Sequence, residues 1–538
     1  MRIVAAARGA FFLSIFVTAG AALAATPSDC GALAHANLPN TAISIADAVP
    51  AGHFTPPYGK PQDQLPAFCR VAGVIRPTAD SYIRFEVWLP LTNWNGKYLG
   101  VGNGGFAGSI DYNGMAGDLR RGYATAGTDT GHEAESEDAT WAFRHPEKVK
   151  DFGYRALHET TADAKRLVEA FYRQPAKRSY FDSCSDGGRE ALMEAQRFPE
   201  DFDGILAGAP ANNWTRLLTS DLDITKTLYG NPVDYISTAN LPALSAAVLA
   251  ACDAQDGVKD GVLTDPTRCR FNPETLLCKE PESRMCLTAP QITALRKIYA
   301  GGSTSHGQQI FPGFTPGSEE GTGGWGPWIL GPGPSGSSGA LFLVNYFRYM
   351  VMDDPSWNPL TADIDASEEA ADSKTAQDLN STDPDLRRFQ ARGGKLILYH
   401  GWNDPAISPI NTVNYYQSVV STMGATTVHS FARLYMIPGM QHCMGGPGAT
   451  SFGQLGSTTA VGPEHGIYSA LEQWVENGTA PGDIIATKYV GTGPNKTVEM
   501  TRPICPYSQA PAYKGSGDTN DYRNFACQAA AVTPVHSR

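Results

Sequence analysis

Residues 180–211 constrain the fold of this 538-residue chain more than any other stretch. A short strand, Tyr180-Phe181, runs into a turn of small residues, Cys184-Ser185-Asp186-Gly187-Gly188. A helix follows through Phe198, and an apolar strand, GILA at 204–207, closes on Gly208-Ala209-Pro210. Further strand patterns fall at 82–90 (YIRFEVWLP), 97–101 (KYLGV), 122–128 (GYATAGT), 395–399 (KLILY) and 432–437, with helical spacing at 158–173 (Ala162, Leu167, Val168, Phe171) and over 465–476. Strands alternating with helices predict an α/β sheet. Residues 26–80 read as loop-rich, with Pro56-Pro57 and two cysteines. Residues 212–385 break the pattern with cysteines, Gly/Pro punctuation and a Gly/Ser-rich run at 314–339. They read as an insertion between sheet strands that forms a lid. The expected organisation is a catalytic sheet domain from 25–211 and 386–538, with a lid over 212–385.

The N-terminus reads as a secretory signal over 1–24. Arg2 and Arg8 precede the short apolar stretch AFFLSIFVTAG (10–20), and Ala22-Leu23-Ala24 is a small-residue cleavage site. A secreted or periplasmic protein follows. The chain then carries ten cysteines: Cys30, Cys69, Cys184, Cys252, Cys269, Cys278, Cys286, Cys443, Cys505 and Cys527. An even count in an exported chain predicts about five disulfides, and the nearest pairs are Cys252 with Cys269, Cys278 with Cys286 and Cys505 with Cys527. No C-x-x-C pair is present to favour zinc. Lys and Arg number 42 against 54 Asp and Glu, a net charge of −12 with no basic block. That balance excludes the usual footprint of a nucleic-acid or anionic-membrane binder, and no apolar run in the mature part is read as a bilayer span. Oligomeric state is left open.

The chemistry starts at Ser185. A strand, a sharp turn and a helix around a serine lift its hydroxyl to the top of a sheet at a helix N-terminus. The usual elbow is G-x-S-x-G; here it is Ser183-Cys184-Ser185-Asp186-Gly187. Alone, such a serine more often marks an ordinary turn. A hydroxyl nucleophile needs a base, and the base needs a carboxylate. Asp404 lies just past the strand at 395–399, and His442 follows the next strand in a Gly-rich loop. The chain order Ser, Asp, His is that of α/β-hydrolases. Each of the three follows a strand, where open α/β sheets place their sites. An oxyanion hole would use the N–H of Asp186 and one from the loop after 97–101, with Gly105 chosen and Gly104 the alternative. Cys184 adjoins Ser185 and Cys443 adjoins His442, so a bridge between them would staple nucleophile to base. Separately, Asp253, Asp256 and Asp260 sit among glycines in a loop suited to a hard cation such as Ca2+, or to an acidic surface turn.

These residues resemble the tannase and feruloyl esterase family, which also includes a mono(2-hydroxyethyl) terephthalate hydrolase. The matching stretches are CSDGGREALMEAQRFPEDFDGILAGAPA (184–211), CDAQDGVKDGV (252–262), YHGWNDP (399–405) and IPGMQHCMGGPG (437–448), four blocks in order along residues 30–527. The resemblance implies an α/β-hydrolase with an inserted lid and a carboxylic ester hydrolase acting on small-molecule aromatic acid esters, feruloyl or galloyl. It implies Ser185 as nucleophile, His442 as base and Asp404 as orienting acid, with Gly105 and Asp186 as oxyanion donors and a Cys184–Cys443 disulfide. It further implies structural calcium on Asp253, Asp256 and Asp260 side chains and Val258 and Val262 carbonyls, and His400 lining the substrate pocket. Two positions depart from the family pattern. Ser183 replaces the glycine before the elbow cysteine, and no arginine matches the one that would hold a terephthalate carboxylate, Arg348 being the nearest. The competing reading from another class is a calcium-dependent secreted binding protein on a degenerate hydrolase fold.

Overall fold

Nine strands build one sheet: β1 (Thr41–Val49), β2 (Phe68–Ile75), β3 (Ile83–Pro90), β4 (Lys97–Val101), β5 (Ala124–Thr128), β6 (Arg178–Cys184), β7 (Gly204–Gly208), β8 (Lys395–Gly401) and β9 (Ala432–Ile437). The computed structural model describes residues 27–279, 285–333, 336–455, 462–491 and 493–529. The signal reading at 1–24 lies outside them. Strand order is β1-β2-β3-β5-β4-β6-β7-β8-β9. The first four in that order pair antiparallel, and every later pair is parallel. This is the α/β-hydrolase sheet, with a large insertion between β7 and β8.

Side chains along the central strands alternate between two cores, as the pleat requires. Ile205, Ala207, Leu396 and Leu398 face helices Ala156–Tyr172, Asp186–Arg197 and Pro409–Met423. Leu206, Ile397 and Tyr399 face helix Ile467–Asn477, through Leu471 and Trp474. All five residues of β5 and of β7 are buried, so these strands read as continuous small or apolar runs rather than as alternation.

The segment read as loop-rich, 26–80, instead contributes β1 and β2 and a small antiparallel pair, Gly52–Phe54 with Gln62–Leu65. Pro56 and Pro57 sit between strands, whereas Cys69 lies inside β2 and its bridge to Cys30 ties that strand to the first short helix. The five disulfides are Cys30–Cys69, Cys184–Cys443, Cys252–Cys269, Cys278–Cys286 and Cys505–Cys527.

The insertion is largely helical, with Trp214–Tyr229, Leu241–Cys252, Ala289–Ala300, Ser338–Asn345 and Ile364–Leu379 as its main helices. Its core is not sealed from the sheet domain: Phe106, Trp141 and Phe152 join Leu222, Leu244, Trp325 and Tyr346 in one cluster. The segment Pro232–Asp256 is 25 residues long and apolar enough to cross a membrane by composition, but its α-helix is only Leu241–Cys252. Its Leu241, Leu244 and Val248 are buried in the core of the insertion.

Candidate active site

Three loops at the carboxyl ends of β6, β8 and β9 bring together the residues singled out above. Ser185 joins β6 to helix Asp186–Arg197 with φ 68° and ψ −123°, a conformation that costs a non-glycine residue about 1–3 kcal/mol. Backbone bonds hold it there: Ser185 N–H donates to Gly208 O at 3.0 Å, and Ser185 O accepts from Arg189 and Ala211 N–H at 3.1 Å each. The turn leaves no room for side chains behind it. A Cβ on Gly187 would lie 1.8 Å from Ser183 Oγ, and one on Gly188 would lie 2.2 Å from Gly208 O. Ser183, the departure from the elbow pattern, is therefore accommodated by the glycine facing it.

His442 Nε2 lies 2.9 Å from Ser185 Oγ, and His442 Nδ1 lies 2.8 Å from Asp404 Oδ2. Asp404 is fully buried and accepts four hydrogen bonds. Oδ1 takes the N–H groups of Ala406 and Ile407 at 2.8 and 3.0 Å, and Oδ2 faces His442 and His400 Nε2, the latter at 3.0 Å. Burial by itself would raise this carboxyl's pKa. The charge of His442 and the hydrogen bonds from both histidines outweigh burial and hold it well below the usual carboxylate range. The carboxylate is an acceptor, so the proton on His442 sits at Nδ1 and leaves Nε2 free to accept from Ser185 O–H.

His400 corrects the sequence reading. It was expected to line the pocket, but it is completely buried behind Asp404 and is absent from the cavity wall. The cause is its place inside β8, where its ring turns to helix Pro409–Met423. Nδ1 meets Thr412 Oγ1 at 2.8 Å, while Nε2 faces two acceptors, Asp404 Oδ2 and Ile407 O at 3.1 Å. Two acceptors at Nε2 place its proton there. Arg348 is likewise directed elsewhere, donating to Trp357 O at 2.9 Å.

Asp186 N–H is the first of its helix and has no intrahelical partner. Gly105 lines the same cavity as Asp186; its φ is +62°, and a Cβ there would lie 2.6 Å from Ser136 O. Gly104 has open space at the same position. The Gly-rich loop is pinned to the helix from both sides: Gly187 N–H donates to Asn103 O at 2.9 Å, and Asn103 N–H donates to Glu190 Oε2 at 2.9 Å. Burial, and then the charge of Asp186, push the Glu190 carboxyl up to about 8. Asp186 itself is raised by burial against the opposing charge of Arg189, which donates to it at 2.6 Å. The Cys184–Cys443 bridge, with Cα atoms 6.0 Å apart, joins the chain beside Ser185 to the chain beside His442.

Above Ser185 opens a cavity of about 490 Å³, walled chiefly by Trp214, Leu217, Leu218, Trp328, Phe342 and Ile407. Most of these belong to the insertion; the sequence points to the stretch 341–359, which holds Phe342, as the part that selects the substrate, and singles out none of the other wall residues. Trp328 packs edge-on to the His442 ring with centroids 5.1 Å apart, and it lies parallel to Phe342. Gln441, next to His442, donates to Glu320 O at 2.9 Å, and Asn403, next to Asp404, donates to Gly317 O, so the insertion is tied to both loops.

Four residues of the acidic loop, Asp256, Val258, Asp260 and Val262, line one small void of about 10 Å³ together with Met500, Arg502, Ile504 and Phe525; Asp253 does not line it. Asp253 accepts from Gly261 N–H at 3.1 Å; burial raises its carboxyl, and the charges of Asp260 and Asp256 raise it further. An all-oxygen donor set with crowded carboxylates fits a hard divalent cation. Arg502 donates to Asp260 Oδ2 and supplies part of the compensating charge.

Fold and site together define an α/β-hydrolase, and its relatives place it in the carboxylic ester hydrolase class. Residues 69–528 match the model of the family described as tannase and feruloyl esterase, and the chain belongs to that family. It is 43% identical to an uncharacterized esterase of Xanthomonas campestris pv. campestris, over 94% of this chain and 92% of the relative. It is 34% identical to a probable feruloyl esterase B-2 of Aspergillus terreus, over 96% and 99%. The structure superposes on the crystal structure of feruloyl esterase B from Aspergillus oryzae with a TM-score of 0.85 at 31% identity, covering 93% of this chain and all of that one.

Proposed function

We propose that this chain is an exported serine esterase that cleaves esters of aromatic acids, feruloyl esters first among them, through an acyl-enzyme on Ser185. The observation that carries the reading is the contact chain Ser185 Oγ, His442, Asp404, at 2.9 and 2.8 Å, on the floor of an aromatic-walled cavity. Ser185 Oγ attacks the ester carbonyl while its proton passes to His442 Nε2. Asp404 holds the resulting imidazolium through Nδ1–H. The N–H groups of Gly105 and Asp186 receive the oxyanion. Collapse breaks the bond to the alcohol, which leaves with the proton from His442. Water then enters, gives a proton to His442 and bonds through its oxygen to the acyl carbon; the bond to Ser185 Oγ breaks, Oγ takes the proton back from His442, and the acid leaves.

The insertion, 212–385, serves as the lid over a catalytic unit made of 25–211 and 386–538. Asp253, Asp256 and Asp260 side chains, with the Val258 and Val262 carbonyls, are the groups that would hold structural calcium, which stabilises the loop when bound. Five disulfides and the apolar N-terminal segment support export to an oxidising compartment. The test is release of free acid from methyl ferulate, methyl gallate, a terephthalate half-ester and p-nitrophenyl acetate, with Ser185→Ala as the blank. Turnover of an aromatic ester that vanishes in Ser185→Ala is the expected result. Activity retained in that variant contradicts the reading, and a folded, calcium-loaded protein with no turnover favours a binding role.

A further inference from the structure

Four carboxylates line the cavity above Ser185: Asp111, Glu137, Asp186 and Asp221. Three have partners. Asp111 accepts from the Asn113 and Gly114 N–H groups at 3.0 and 3.1 Å, Glu137 from Ser136 Oγ at 2.8 Å, and Asp186 from Arg189 at 2.6 Å. Asp221 has no hydrogen-bond partner and no counter-ion among the described residues, although it sits in an otherwise apolar wall. A polar group in such a place carries a desolvation cost unless something else supplies its hydrogen bond.

Its position in the fold indicates what that something is. The segment Ala211–Tyr229 starts beside the elbow, where Ala211 N–H donates to Ser185 O. Trp214, Leu217, Leu218 and Asp221 fall at i, i+3, i+4 and i+7 on helix Trp214–Tyr229, one continuous face of which lines the cavity. Seven residues of helix carry the chain roughly 10 Å along its axis, so Asp221 stands well along the wall from the Ser185 end. There it adjoins Gly339, which also lines the cavity and whose missing side chain makes room for Trp328 O, 2.8 Å from where a Cβ would lie. Asp221 also borders a deeper void of about 20 Å³ shared with Thr225, Phe314 and Ser337.

We propose that Asp221 accepts the hydrogen bond of the para-hydroxyl of a hydroxyarylpropenoyl acyl group, and so sets specificity for 4-hydroxycinnamic esters. The proposal rests on the reading of Ser185 as the acylated residue. With the carbonyl carbon at Ser185 and the ring among Trp214, Trp328 and Phe342, the para position points along the helix toward Asp221. A hydroxycinnamoyl group has two more carbons between carbonyl and ring than a hydroxybenzoyl group, and suits that length better. Burial raises the Asp221 carboxyl well above its ordinary range, so it approaches a neutral phenol at less cost than a second anion. Among the described residues, no Lys or Arg lines the cavity to pair a distal carboxylate on the ring, which argues against terephthalate half-esters as substrates.

The experiment compares kcat/KM for methyl 4-hydroxy-3-methoxycinnamate and methyl 3,4-dimethoxycinnamate, which differ at the para oxygen, O–H against O–CH3, and for methyl 3-methoxycinnamate, which lacks that oxygen and so controls for the bulk of the methyl. It is run with the wild type, Asp221→Asn and Asp221→Ala, with Ser185→Ala as the blank. The wild type should prefer the phenol by roughly tenfold or more, the range of a hydrogen bond to an ionisable partner. The preference should fall to within about threefold of unity in Asp221→Ala. The ratio is taken within each enzyme, so partial misfolding of a variant lowers both rates and leaves the ratio readable. Wild type alone provides a second reading that needs no variant. A wild-type ratio near one, or a ratio that survives in Asp221→Ala, overturns the proposal while hydrolysis that depends on Ser185 continues. If no ester is cleaved in a manner that depends on Ser185, the reading beneath the proposal has failed, and the proposal with it.

Discussion

Replacing Asp404 with Asn should switch off hydrolysis while the fold persists, and the structure gives the reason in terms of single protons. Asp404 Oδ1 accepts from the Ala406 and Ile407 N–H groups. An Asn at this position must keep its only oxygen on that side, because its amide N–H2 cannot face two donors. The amide N–H2 then points at His442 Nδ1 and His400 Nε2, where an acceptor of both stood. His442 responds by accepting at Nδ1 and carrying its proton at Nε2. That tautomer can no longer take the proton of Ser185. His400 must move its proton to Nδ1, where Thr412 Oγ1 can receive it, and this leaves its Nε2 lone pair against Ile407 O. The loss of the correct tautomer in a serine triad is worth about 10⁴ in kcat, or roughly 5.4 kcal/mol of barrier. Leaving one buried acceptor mismatched costs about 1–3 kcal/mol of stability. The assay is kcat/KM on the best aryl ester, together with a thermal melt. A fall near four orders of magnitude with a single cooperative melt supports the argument. A loss under about tenfold in a folded Asp404→Asn variant refutes it.

Gly105→Ala should lower kcat by about 10²–10³, the value of one oxyanion donor, because φ is +62° and the added methyl meets Ser136 O. Gly104→Ala, with open space around its Cβ, should stay within a few-fold of wild type; equal losses in the two would exclude Gly105 as the donor. Glu190 is held at about 8 in the folded chain against about 4.5 when unfolded. Between those pH values the folded state keeps a proton the unfolded state releases, so this group's contribution to stability falls as pH rises. Glu190→Gln should therefore gain Tm relative to wild type as pH goes from 5 to 8, and a constant difference across that range would contradict the assignment. Chelation with EDTA should lower Tm while initial rates at low temperature persist, and added Ca2+ should restore it; an unchanged Tm would show that Asp253, Asp256 and Asp260 hold no calcium that matters.

Much of the sheet was legible because its central strands carry continuous apolar or small-residue runs ending in glycine turns, which periodicity reads well. Ser185, Asp404 and His442 were legible for a related reason: each sits one to five residues past such a strand. The edge strands β1 and β2 were not, since prolines and cysteines around them mimic a loop. The pocket role of His400 came from the family resemblance alone, and the residue pattern does not give the side of β8 to which its ring turns. The cavity walls were the least legible part. Trp214 and Asp221 share one helix face, but Trp328 and Phe342 lie more than a hundred residues on in an insertion without a uniform period, and only tertiary packing gathers the four above Ser185.

The central claim is a covalent acyl group on Ser185, and rapid-quench intact-mass spectrometry with an activated aryl ester tests it most directly. The account predicts a transient mass gain of one acyl group on the wild type, mapping to the peptide that contains Ser185. It predicts no gain in Ser185→Ala and a longer-lived adduct when His442 is replaced. An adduct on another residue, or hydrolysis with oxygen-18 water and no trappable adduct in any variant, would contradict it.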